Sequence, residues 1–190
     1  MRGFLICIGL WLLTACSLAL AQQGPGQSAA TRIFGVHISG TIRSMSPTGK
    51  LLEERQYICQ RTCYPAEQRF VEHYMSWVGE DVSSLREWEY SYELDGQAFS
   101  FTGAEISEGQ GSVEGRNWSW DEIDYTYSDA EGLRYSFSGE FSGRDCQRAG
   151  VVQDKSGSVL RLIADESSVI TEEEFAILQA VYMRIKSGHN

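Results

Sequence analysis

The chain has 190 residues, enough for one domain with a sizeable core and short for two ordinary ones. Twenty-six acidic side chains face 16 basic ones, a formal charge of −10, and with no basic patch the sequence excludes a phosphate-backbone binder of nucleic acid. Aromatics reach 12%, a proportion that favours strands, where large rings pack against cross-strand neighbours.

Residues 1–21 read as an export signal. Met1-Arg2-Gly3 is a short positive start, and the apolar run over 4–13 is too short to span a bilayer. Two cleavage sites compete. Leu13-Thr14-Ala15-Cys16 resembles a bacterial lipobox, which would make Cys16 the lipidated first residue; Ser17 behind it would favour the outer membrane. Ala19-Leu20-Ala21 before Gln22 is an ordinary signal-peptidase site. Residues 22–32 lack periodicity and form a flexible Gly/Gln/Ser tether. Residues 33–190 are expected to be a single β-barrel domain.

Phe34, Val36, Ile38, Gly40 and Ile42 alternate with polar neighbours, which predicts a first strand. A turn over 44–50 leads to a poorly patterned second strand over about 51–59. Pro65 breaks the chain, and 69–78 reads as a third strand that is apolar on both parities. The clearest signal runs over 88–141. Trp88, Tyr90, Tyr92 and Leu94 share a parity; Asp95-Gly96 turns the chain to Phe99 and Phe101. Trp118, Trp120, Ile123, Tyr125, Tyr127, Leu133, Tyr135, Phe137 and Phe141 follow. This is an antiparallel meander with one aromatic face, bent where Gly103, Gly109, Gly111 and Gly115 crowd together. Residues 142–149 read as a loop, with short apolar runs at 151–152 and 159–164 beyond it. Thr171-Glu172-Glu173-Glu174 has the form of a capping box, flanked by Ile170 and Phe175 at hydrophobic-staple positions. Phe175, Leu178, Val181, Tyr182 and Ile185 then make a helical stripe; a short helix and a last strand over 181–186 is the alternative. About nine neighbouring antiparallel strands leave edges unless the sheet closes. The expected fold is therefore all-β, a meander closed into a calycin-like barrel with a C-terminal helix; an open curved sheet or sandwich stands second.

The lipobox-like leader, Gly40 and Gly49 around the first turn, and the run from Gly103-Ala104 through Gly109, Gly111 and Gly115 to Arg116-Asn117-Trp118-Ser119-Trp120 resemble bacterial lipocalin-like (calycin-type) lipoproteins of unknown function. The later Asp154, Gly157 and Leu162 hairpin and the helix start at Thr171 are also similar. Ile33-Phe34-Gly35 stands where lipocalins carry Gly-x-Trp. The resemblance implies a cup-shaped barrel exported to the envelope that holds a small apolar ligand; it implies no activity.

Cys59, Cys63 and Cys146 remain after either cleavage. An oxidising compartment favours one disulfide among them. A turn at Gln60-Arg61-Thr62 would permit Cys59–Cys63, whereas Cys63–Cys146 would staple early strands to a late loop. Zinc lacks a histidine at ligand spacing, so no metal is expected. Arg116 has the parity of Trp118 and Trp120. It reads either as a ligand head-group anchor beneath an aromatic pocket or as an internal salt bridge, with Glu114 or another strand's acid, or a solvent-facing side chain. Tyr90, Tyr92 and Tyr125 belong to that pocket, because so many phenols suit a wet cavity better than a dry core. His37, His73 and His189 form no constellation, and no hydrolase elbow, metalloprotease helix or phosphate loop occurs, so no enzyme and no cofactor are expected. Two functions compete: an exported barrel that carries a small hydrophobic or amphiphilic ligand, and a solid-cored envelope structural or interaction protein. The expected location is the periplasmic side of the outer membrane through a lipid on Cys16, or alternatively the soluble periplasm or exterior.

Overall fold

The computed structural model describes residues 33–82, 85–95, 98–106, 112–119, 122–129 and 131–188, with backbone alone for 94–95, 98–99, 113–119 and 122. The two cleavage sites, the tether and Trp120 lie outside the described residues. Eleven strands are described: β1 (Phe34–Met45), β2 (Leu51–Tyr64), β3 (Arg69–Val78), β4 (Asp81–Val82), β5 (Arg86–Asp95), β6 (Ala98–Glu105), β7 (Ser112–Ser119), β8 (Glu122–Ser128), β9 (Arg134–Ser142), β10 (Asp145–Gln153) and β11 (Val159–Ile170). Helix α1 (Glu172–Lys186) follows. Every pairing is antiparallel, and from β5 to β11 each strand pairs with the next. β11 returns to pair with β1, while β2 pairs with β1 on one side and β3 on the other. The result is a strongly curled antiparallel sheet with one C-terminal helix.

Two expectations are corrected. β2 runs five residues past Cys59, because Gln60, Arg61 and Thr62 pair on both sides, with β1 and with β3. There is no turn between Cys59 and Cys63. In an extended strand their Cα atoms stand about 13 Å apart, against roughly 5.5–6 Å for a bridge. Cys146 lies on β10, and all three cysteines are buried. Among the described residues no disulfide joins these cysteines. Likewise 142–149 is no loop. Gly143 turns the chain at φ +64, and Asp145 to Ala149 pair fully with β9 and β11.

Strand parity divides the sheet into two faces. Ile58, Met75 and Trp77 point to one, where they pack with Phe175 and Tyr182 of α1. Val82, Ile170, Leu178 and Ile185 close the edges of this cluster. His37 lies there too, its ring stacked on Phe175 at 4.4 Å, so the polar parity of the first strand faces the helix. The capping box holds: the Thr171 hydroxyl accepts from the Glu174 amide, and Glu174 accepts from the Thr171 amide at 2.8 Å. Glu172, Glu173 and Glu174 in the first turn and Arg184 and Lys186 in the last complement the helix dipole. The helix is continuous to Lys186, so the alternative terminal strand does not form.

The opposite face is concave. Arg148 of β10 hydrogen-bonds Tyr57 of β2 across β11 and β1. Three strand spacings in a flat sheet would separate them by about 14 Å. Curling of the sheet towards this side shortens that span and brings the two side chains into contact.

Candidate functional site

The concave face carries an aromatic wall and a polar centre. The wall starts from Trp88 and Phe101, both buried, with Tyr90, Tyr92, Ile123, Tyr125 and Tyr127 packed around them. Phe70 stacks on Tyr90 at 4.4 Å, Tyr125 on Phe137 at 4.8 Å, and Trp88 meets Tyr127 edge-on at 5.2 Å. Offset and edge-on ring pairs of this kind add modestly to the stabilisation from buried area. The registers explain the set. Phe70 pairs with Tyr90, Tyr92 with Phe101, and Tyr125 with Phe137, so the alternation of successive strands falls on one side.

Two largely buried ion pairs make the polar centre. Arg61 and Glu72 are cross-strand partners on β2 and β3. Arg61 Nε donates to Glu72 Oε1 at 2.8 Å, and the Tyr90 hydroxyl donates to Oε2 at 3.0 Å. Phe70 lies under the guanidinium at 4.9 Å. Each partner has a counter-charge and a hydrogen bond, the condition for burying charge at tolerable cost.

Arg148 and Asp165 are partners on β10 and β11. Arg148 Nη2 donates to Asp165 Oδ2 and, at 3.0 Å, to the Tyr57 hydroxyl; that hydroxyl donates to Asp165 Oδ1 at 3.0 Å. Two glycines make room for this triad. A Cβ on Gly40 would stand 2.6 Å from the Tyr57 ring, and one on Gly139 would stand 2.5 Å from Arg148 Cγ. Only glycine lets both side chains lie flat across the neighbouring strand.

Tyr74 stacks on Tyr57 at 5.0 Å, and Arg148 lies over the Tyr125 ring at 5.8 Å. Burial pushes the phenols of Tyr57, Tyr74 and Tyr90 above their ordinary value, and Tyr125 up to about 12. At neutral pH they are uncharged hydrogen-bonding groups. Yet the centre is not sealed: the Arg61 and Arg148 side chains keep 25% and 21% of their surface open.

Of the residues picked from sequence, Tyr90, Tyr92 and Tyr125 come together here. Arg116 registers elsewhere. It pairs with Ser100 and Asp124, both exposed, whereas its neighbour Gly115 pairs with Phe101 and Tyr125 of the concave face. Arg116 thus occupies a register position of the other parity, and a bulge between Arg116 and Ser119 breaks the β7–β8 register at Trp118. Asp165, Arg148, Tyr57 and the Arg61–Glu72 pair were not singled out by sequence. The available signal was parity: Cys146, Arg148, Gly150 and Val152 alternate as a strand, as do Ile163, Asp165 and Ser167. Cys59, Cys63 and Cys146 share the concave face, and burial pushes the Cys59 and Cys146 thiols up, which leaves them inert rather than nucleophilic. On the outer side of the same strands a shallow depression over Ser138, Ala149 and Ala164 is rimmed by Asp124, Glu140 and Glu166. It is an acidic surface feature with no cationic partner in its lining beyond the buried Arg148.

No protein-family model matches the chain. No curated protein matches it significantly. Among solved structures, an acyl-CoA thioesterase II (TesB2) from Mycobacterium marinum aligns over 85% of this chain and 88% of its own at 9% identity, with a TM-score of 0.22. That score is too low to show a shared fold.

Proposed function

We propose that the curled sheet closes as a calycin-type barrel and that the protein is an exported carrier of a small amphiphilic ligand. The cyclic order of strand pairing supports closure. The observation that carries the ligand is the concave face: an aromatic wall around polar side chains that remain partly open to solvent-sized groups. Ligand sites combine apolar lining with a few placed polar groups in this way, and barrels of about this size hold either side chains or one small molecule. Export through the leader, with Cys16 lipidated and the domain facing the periplasm, belongs to the same proposal.

Native mass spectrometry of the protein incubated with a lipid extract of its host envelope tests it. A one-to-one adduct that leaves on denaturation is expected. A bare mass throughout would overturn the carrier and favour the solid-cored envelope interaction protein. The same spectrum reports whether Cys16 carries lipid.

A further inference from the structure

We infer that the polar centre at Arg148 receives an uncharged hydrogen-bond acceptor, the carbonyl of an ester or amide, and discriminates against a carboxylate. The inference rests on the carrier reading and deepens it by naming the head group.

Donors and charges at Arg148 carry it. A guanidinium has five N–H donors; Arg148 uses Nη2 alone, on Tyr57 and Asp165. Its Nε is buried with no partner, and no hydrogen bond among the described residues engages Nη1. The neighbouring pair shows the contrast, for Arg61 donates through both Nε and Nη2 to Glu72. Tyr125, beneath the Arg148 guanidinium, and Tyr74, stacked on Tyr57, make no hydrogen bond within the described residues. Arg148 therefore keeps unused donors beside these two phenols, and at the buried Nε an unanswered donor is costly.

Charge decides what kind of acceptor answers them. Arg148 is already neutralised by Asp165, and Arg61 by Glu72. A ligand carboxylate would add an unbalanced negative charge beside Asp165 in a low-dielectric setting, where like charges repel strongly. The chain's charge of −10 opposes its approach as well. A carbonyl oxygen accepts two hydrogen bonds and brings no charge. The aromatic wall of Trp88, Tyr90 and Phe101 would take the apolar tail.

The test compares one alkyl chain with different heads: methyl dodecanoate, dodecanamide, dodecanoate and dodecyltrimethylammonium, by native mass spectrometry and quenching of tryptophan fluorescence at neutral pH. The ester and amide are expected to bind at least about tenfold more tightly than either ion. Tyr125→Phe, which removes one hydroxyl and no charge, should weaken the ester by about three- to tenfold and leave the ion affinities unchanged. The double variant Arg148→Met/Asp165→Asn removes the pair together, so no lone charge is left buried, and should reduce ester and amide to within about threefold of the ions. Equal or tighter binding of dodecanoate would overturn the inference, as would variants that keep full ester affinity. If the envelope extract gives an adduct and no member of the series binds, the head-group assignment falls and the carrier stands. If neither gives an adduct, both fall.

Discussion

The two apolar clusters share strands β2 and β3, yet they differ in kind. On the convex side Ile58, Met75 and Trp77 meet α1, and the contact is aliphatic-aromatic. On the concave side Cys59, Arg61, Glu72 and Tyr74 of the same strands meet phenols and ion pairs. A strand buried on both faces has no polar parity left, and that is why residues 69–78 read as apolar on both. The convex cluster specifies where the helix sits. The concave one places groups that would destabilise a core unless each is answered, and at Arg148 they are answered only in part.

The sharpest way to separate the two is Phe175→Ala. Phe175 is 4% exposed and anchors α1, so its loss should cost about 3–5 kcal/mol in urea unfolding. Affinity for an amphiphile should stay as it was, because the concave face is untouched; a parallel loss of affinity would show that the clusters are coupled. Gly40→Ala attacks the other side. Its Cβ would displace the Tyr57 ring, at an expected cost of about 1–3 kcal/mol from overpacking, together with weaker ligand binding. An unchanged ligand affinity would separate Tyr57 from the site.

The smallest effect is one of pH. The folded state holds Tyr125 and Tyr135 protonated up to about 12, while an unfolded phenol titrates near 10. Native protein therefore binds more protons than unfolded protein between those values. The stability that these neutral phenols contribute is fully present below about pH 10 and is lost as pH rises through about 12. In Tyr125→Phe the alkaline fall of the urea midpoint should be shallower.

What was legible in the sequence followed from periodicity. The meander alternates aromatics with polar residues, which marks its strands, and the α1 cap is visible in Thr171 and Glu174 because capping uses local groups. The concave centre was not legible for the same physical reason. Asp165 and Ser167 sit in a stretch whose composition, Asp-Glu-Ser-Ser, is that of a loop. Their burial depends on Arg148 and Tyr57, 17 and 108 residues away from Asp165, and no local pattern encodes such a partner. Arg116 stands out in sequence for its tryptophan neighbours; the register of β6, β7 and β8 puts Gly115, not Arg116, opposite the aromatic residues.

The three cysteines have a consequence in time rather than in energy. Cys59, Cys63 and Cys146 are 4%, 4% and 7% exposed and lie on three well-paired stretches of two strands. A thiol reagent in solution reaches them only after those strands part. Their labelling under native conditions is a clock for opening of the sheet: with fast reagent it runs at the opening rate, and with slow reagent at the equilibrium fraction open. Any ligand that bridges β10 and β2 across the concave face would slow that clock, and its occupancy would be written in the lifetime of three thiols.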